Sequence, residues 1–380
     1  MIEDKLRSMI AEEIMFAKEA AEYLGISVQR LNKLVHKEEL IPVRKSPSGT
    51  LFMKRDLDER KYLIATIGKE ILLTALQPTL KINSPTLQEA VNYFTIQSYY
   101  DYAYKKTETN YAFITEKRDM INVPLTHYSE ELAVYLGTDE DELGERYRAT
   151  VRSFEKLMLT DQVINRTDEA YPFELKRLDS SPLFLFLRGN IKLLDTPIVS
   201  LIGTKNPTQE EKMLAYQITK FLGEDGYSIA TGLSRGVDTV VMETAHSNKI
   251  PSIGVIGTPL NKAYPRENEA LQKEVSAMGN GLILSQFSPA APVKSWHFPI
   301  RGMVLSGISQ MTVVVDVSLN EGDYKQIEYC LKQGRLVFFP FPRKGTKNSD
   351  WADKYLMKKG VVLYKDYEDF VKQFNLVVNG

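Results

Sequence analysis

From about Tyr171 onward, short β-branched apolar runs alternate with segments whose apolar residues recur every three or four positions. The runs near Ile198–Ile202, Tyr227–Ala230, Ser252–Ile256, Leu282–Leu284, Thr312–Asp316 and Leu336–Phe339 predict strands, with a further strand at Val361–Tyr364. Glycine-containing turns and amphipathic helices between them are the pattern of βαβ units and a mostly parallel sheet. The preceding stretch, 62–165, reads as mostly helical, with few glycines and many tyrosines. Residues 1–60 read as short helices followed by a basic hairpin. Three regions are therefore expected, 1–61, 62–168 and 169–380, with neither an internal repeat nor a low-complexity tract.

Two strand-to-helix turns carry candidate chemistry. The first is Gly203-Thr204-Lys205-Asn206-Pro207-Thr208, in which Thr208 and Glu211 make a capping box opening a helix. A glycine-ended strand before a helix N-terminus presents free backbone N–H groups, and the dipole there favours an anion. Lys205 adds a full charge. A plain tight turn explains the same residues equally well. The second turn is Thr231-Gly232-Leu233-Ser234-Arg235-Gly236-Val237-Asp238. On adjacent strands, the two turns face one crevice at the carboxyl end of the sheet. Neither is G-x-G-x-x-G, no acidic residue ends the second strand, and there is no Walker A sequence. A dinucleotide-dependent enzyme and a P-loop ATPase are thereby disfavoured.

Near the N-terminus, Ala21 is small enough for two helices to cross, and Gly25 follows four residues later where the chain must turn. Ser27 is placed to cap a second helix, with Leu31 and Leu34 facing back onto the first. The segment from Leu40 to Phe52, carrying Arg44 and Lys45, reads as a wing, and Lys54 begins the next helix. Between Val28 and Tyr62 there are nine Lys/Arg against five Asp/Glu. With the second helix in a major groove, Gln29, Arg30 and Lys33 point to bases and phosphates, and Arg44 and Lys45 grip the backbone. A helical hairpin packed on a partner domain is the competing reading. Ala133 to Leu143 repeats part of this spacing, but the acidic run Asp139-Glu140-Asp141-Glu142 excludes DNA and predicts a structural helix pair.

Composition adds limits. Forty-eight Lys/Arg nearly balance 49 Asp/Glu, so a nucleic-acid site must come from local clustering. Cys330 is the single cysteine, which rules out an internal disulfide or a cysteine cluster and fits a reducing compartment. It is expected to pack beside Ile327 and Leu331. The start lacks a secretory pattern, and no run approaches the ~18 apolar residues of a membrane span, so a cytoplasmic protein is expected. Six tyrosines between Tyr93 and Tyr111 are read as packing rather than base stacking, and Arg343–Lys359 as a local basic patch.

Beyond these turns, the ordered elements are Tyr171-Pro172, the run from Pro182 to Gly189, Gly257-Thr258, Tyr264-Pro265-Arg266-Glu267-Asn268, Ser285-Gln286-Phe287, Trp296-His297-Phe298-Pro299, Leu305–Ser309 and Gly334–Pro340. Over about 170–374 this series resembles the DNA-processing protein A (Smf) family. The N-terminal segment resembles winged helix-turn-helix domains of the excisionase and MerR type. The fold expected is α/β, with a Rossmann-like mostly parallel sheet in the C-terminal half, preceded by a winged helix-turn-helix and a helical middle region.

The resemblance implies a non-catalytic protein of DNA processing or recombination that needs no cofactor or metal. It binds single-stranded DNA, commonly as a homodimer, and passes it to a RecA-type recombinase. It implies phosphate contacts from Gly203, Thr204 and Lys205, from Gly232, Ser234, Arg235 and Gly236, and from Arg301. The family's asparagine and second arginine are replaced by Gly302 and Met303, its histidine by Met242, and its Ser-Gly-Ser by Glu321-Gly322-Asp323. Added carboxylates repel DNA. An altered crevice reading a nucleotide-type ligand, in a sensor or regulator, is therefore the alternative. Of the other polar groups expected near the crevice, Asp238, Glu243, Glu267 and His297, none forms a catalytic motif, and the glycine-rich motif of nucleotide phosphoribohydrolases is missing.

Overall fold

A computed structural model of the chain describes residues 13–36, 40, 42–46, 49–54, 56–58, 82, 84–316, 321–341, 354–355 and 357–378. It divides into two compact units, Met1–Pro78 and Thr79–Gly380.

In the first unit, strand β1 (Ile14–Phe16) leads into helices α1 (Ala17–Tyr23) and α2 (Val28–His36), followed by strands β2 (Arg44–Ser46) and β3 (Gly49–Met53). The Phe16 N–H donates to the Glu19 carboxylate at 2.9 Å, which starts α1. Gly25 carries the turn at φ +65°, a conformation that side chains resist. The Arg30 N–H donates to Ser27 Oγ at 3.3 Å, so the expected cap is present. The strands pair antiparallel in the order β1-β3-β2, and Ala20, Ala21, Leu24, Leu31, Leu40, Phe52 and Leu57 form the core. Lys37, Arg55, Arg60 and Lys61 of the basic cluster, with Ile41, Pro47 and Ser48 of the hairpin, lie outside the described residues.

The second unit opens with helices α3 (Pro85–Ser98), α4 (Tyr104–Thr115), α5 (Ser129–Leu136) and α6 (Glu140–Phe154). Then come β4 (Gln162–Asn165), α7 (Phe173–Lys176), β5 (Phe184–Gly189), β6 (Ile198–Ile202), α8 (Gln209–Glu224), β7 (Ser228–Thr231), α9 (Val237–Ser247) and β8 (Ser252–Ile256). The chain closes with α10 (Glu269–Ala277), β9 (Gly281–Ser285), α11 (His297–Ile308), β10 (Met311–Val314), α12 (Glu321–Lys332), β11 (Leu336–Pro340), β12 (Val361–Tyr364) and α13 (Tyr367–Val378). Among the described residues, nine strands form one sheet in the order β12-β11-β10-β6-β7-β8-β9-β5-β4. The seven from β12 to β9 are parallel, and β5 and β4 are added antiparallel. Every residue of β6, β7, β8 and β9 is buried, because helices cover both faces of the parallel part. The order reverses between β6 and β10, and this reversal defines where a doubly wound sheet opens a crevice.

The boundary expected near residue 168 falls inside this unit. Strand β5 sends Phe184 and Phe186 to one face and Leu185 and Leu187 to the other, and both faces are core. Phe94 of α3 packs on Phe184, Phe186 and Phe154, with ring centroids 5.5–6.1 Å apart. The helices of the middle region are thus one wall of the sheet's own core. Asp161, just before β4, clasps Arg188 of β5 through two hydrogen bonds of 2.7 and 2.8 Å, with the carboxylate fully buried. The acidic helix pair behaves as expected: Gly137 is left-handed, Asp139 Oδ1 accepts from Glu142 N at 2.8 Å, and Leu132 and Leu143 are buried. Tyr93 and Tyr111 are core residues. Cys330 is buried beside Ile327, and burial pushes its thiol up to about 11.

Candidate nucleic-acid interface

The carboxyl ends of β6, β7 and β10 converge where the strand order reverses, and both candidate turns lie there. After β6, Gly203 is buried so tightly that a Cβ would sit 2.6 Å from Val237 and 2.8 Å from Asp316. The Thr204 N–H donates to Asp316 Oδ2 at 2.6 Å, so a carboxylate from the end of β10 already occupies that donor. Lys205 is exposed and, among the described residues, has no carboxylate within ion-pair distance. Thr208 Oγ1 and the Glu211 side chain complete the capping box, at 3.2 and 2.7 Å.

The second turn is held in an uncommon backbone path. Leu233 is left-handed at φ +53°, and Gly236 at φ +82° lies so close to the first turn that a Cβ would meet the Thr204 carbonyl oxygen at 2.3 Å. A buried leucine in that conformation persists only when its surroundings over-determine it. They do so here. The Asn268 amide donates to the carbonyls of Leu233 and Ser234, both at 3.0 Å. Asp238 Oδ2 accepts from Ser234 N at 3.0 Å. Arg301 of α11 donates from Nη1 to the Gly232 carbonyl at 2.6 Å and to Ser234 Oγ at 3.3 Å. Gly232 is required for this, since a Cβ would stand 2.1 Å from Arg301 Cζ.

Electrostatics sharpen the picture. Burial pushes the Asp238 carboxyl up, while Arg301 and the Ser234 hydrogen bonds pull it back. Burial lowers the Arg301 guanidinium, opposed by Asp238 and Asp323. Arg301, expected as a phosphate contact, is 7% exposed and reaches the cleft from beneath, pinning the second turn. Arg235 is exposed and paired with Glu267. Lys205, Ser234, Arg235 and Arg301 line one cleft of about 360 Å³, together with Tyr264, Phe298 and Asp323. Thr204 is half-buried and Gly203, Gly232 and Gly236 shape the backbone around it. Glu243 is exposed on α9 outside the cleft lining. His297 is fully buried, stacked on Phe287 with centroids 3.9 Å apart, so it is a packing residue. The side chain of Glu321 lies outside the described residues.

Two residues that shape the cleft, Asn268 and Asp316, carry no such role in the sequence pattern. Asn268 stands in the sequence only as part of its motif, and Asp316 only as a strand end. The available signal for Asp316 was an acidic residue directly after a buried apolar strand. In the first unit, Ser27, Gln29, Arg30, Lys33, Arg44 and Lys45 are all exposed, so no side chain expected to face DNA is withdrawn into the core.

Fold and cleft together define a Rossmann-like protein with a cationic crevice at the switch point of its sheet. The match to the DNA recombination-mediator protein A family covers residues 162–375, and the chain belongs to that family. It is 28% identical over 207 residues to the DNA processing protein DprA of Streptococcus pneumoniae, covering 54% of this chain and 72% of that protein. It is 32% identical over 173 residues to the DprA of Bacillus subtilis, covering 45% of this chain and 58% of that one. The X-ray structure of DprA from Streptococcus pneumoniae superposes with a TM-score of 0.56 at 22% identity, covering 77% of this chain and 98% of that chain. That likeness establishes the shared fold. Among the described residues no helix is long and apolar enough to cross a membrane, and no group of three His, Cys, Asp or Glu is placed to hold a metal.

Proposed function

We propose that this chain is a DNA-binding protein of DNA processing and recombination that holds single-stranded DNA by its phosphates in the switch-point cleft. The observation that carries this reading is the convergence of Lys205, Ser234, Arg235 and Arg301 on one cleft. Membership of the recombination-mediator family supports it. Lys205 offers a cation that no carboxylate holds among the described residues, Arg235 exchanges Glu267 for a phosphate, and Arg301 keeps the turn in shape. The role is binding rather than catalysis, in the cytoplasm, as a homodimer that hands the strand to a RecA-type recombinase. The exposed row Gln29, Arg30 and Lys33, with Arg44 and Lys45, adds duplex binding by the first unit.

A second reading is favoured by Asp316 and Asp323. One occupies the Thr204 N–H and the other lines the cleft, so the site suits a smaller nucleotide-type ligand in a sensor or regulator. Fluorescence anisotropy with single-stranded and duplex oligonucleotides across a salt series separates the readings. Single-strand binding with a log–log slope of about −0.7 per phosphate neutralised, weakened in Lys205→Ala/Arg235→Ala and kept in Arg30→Ala/Lys33→Ala, supports the first. Failure to bind single strands at low salt, with binding of a nucleotide, supports the second.

A further inference from the structure

We propose that the cleft between α4 and α11 is a second ligand site, which takes a nucleotide unit, a heteroaromatic base with its phosphate. Its volume is about 900 Å³, in the range that encloses a ligand of this size. Tyr104 of α4, Trp296, Ile300 and Met303 at and along α11, and Tyr329 of α12 supply an apolar, aromatic lining. Gln286 also lines it, with a buried side-chain oxygen that makes no hydrogen bond among the described residues.

Charge decides the other end of the ligand. Lys105 and Lys106 stand exposed on the rim, and among the described residues neither has a carboxylate within ion-pair distance; Lys106 lies over the Tyr100 ring. Asp101, the one acid among the described residues that line the cleft, is neutralised by Lys294. An aromatic floor under a cationic edge matches a flat ring carrying a phosphate. Asn110, also in the lining, accepts from the Tyr135 hydroxyl at 2.8 Å, and Tyr135 stacks on the half-exposed Phe113 at 5.5 Å and 17°. A stacked aromatic pair thus continues from the cleft onto the surface, as on proteins that carry bases along a strand. Trp296 and Ile300 face this cleft while Ser295, Phe298 and Arg301 face the switch-point cleft, so the two sites are separate and the proposal stands whatever the first one binds.

Trp296 and Trp351 are the chain's two tryptophans, so full-length Trp351→Phe reports from the cleft alone. Its melting temperature, compared with that of the parent, checks the fold. Purine mononucleotides and a short oligonucleotide are titrated separately. Saturable quenching of Trp296 by either is expected, weakened on the order of tenfold in Lys105→Ala/Lys106→Ala and unchanged in Lys205→Ala/Arg235→Ala. Quenching by the mononucleotide identifies a free nucleotide as sufficient, and quenching by the oligonucleotide alone identifies a strand. Three results overturn the proposal: no response to either probe, as for a cleft that receives an acidic peptide; quenching indifferent to Lys105 and Lys106; or quenching lost in the Lys205/Arg235 variant, which locates it in the first cleft.

Discussion

The backbone N–H of Thr204 donates to the Asp316 carboxylate at 2.6 Å, closing with a negative side chain the turn that opens toward an anion. Asp316→Asn keeps an acceptor oxygen beside Thr204 and removes the charge. It is expected to tighten single-strand binding by roughly three- to tenfold at low salt, and by less at high salt because the gain is electrostatic. Anisotropy across a salt series measures it; weaker binding would show that the carboxylate instead holds the turn in its competent shape.

Gly232 and Arg301 form a matched pair. Gly232→Ala places a methyl group where the guanidinium lies, and Arg301 has no solvent to retreat into. A loss of about 1–3 kcal/mol is expected from the overpacking, read by urea unfolding. Cleft binding should weaken as well, since the Arg301 bonds to Gly232 and Ser234 shape the second turn. A variant of unchanged stability would mean that Arg301 moves freely.

The buried clasp of Asp161 and Arg188 predicts a larger effect. Asp161→Ala leaves an uncompensated cation under β4 and β5, and about 3–5 kcal/mol is the usual cost of breaking such a pair. Arg188→Ala leaves the converse charge and should cost a similar amount. Removing both is expected to cost less than the sum, and a full double-mutant cycle measures that difference.

His297 gives a pH dependence of definite sign. Burial holds its imidazole down to about 4, against about 6.5 in an unfolded chain. Between those values the unfolded state binds a proton that the folded state refuses, so stability falls as pH drops through the window and is complete above it. The size is at most about 3 kcal/mol. His297→Phe keeps a ring against Phe287, and its unfolding free energy should drop less than the parent's between pH 7 and pH 4.5. Equal drops in the two proteins would place the pH sensitivity elsewhere.

The parallel strands were legible in the sequence to within a residue or two, because fully buried strands read as unbroken apolar runs between glycine turns. The same property hid β5: with Phe184, Phe186, Leu185 and Leu187 all buried, it has no alternation to mark a strand pairing antiparallel at the sheet's flank. β4 is four residues with a polar start, too short for a pattern. At the site, residue types and turns were readable, but depth was not. Nothing in the sequence distinguishes Arg301, buried under the second turn, from Arg235, exposed above it. The division expected at 168 falls inside the compact unit Thr79–Gly380: polar–apolar periodicity shows that a helix has a buried face and does not show what that face is buried against.

The aromatic wall over β5 ties the matched stretch to the chain that precedes it. The family match begins at 162, yet the outer face of Phe184 and Phe186 is closed by Tyr93, Phe94 and Phe154, all upstream of it. Cutting this chain back to the matched stretch would leave both rings without their cover. The helices upstream of the matched stretch are therefore as much a part of this sheet's core as the strands they cover.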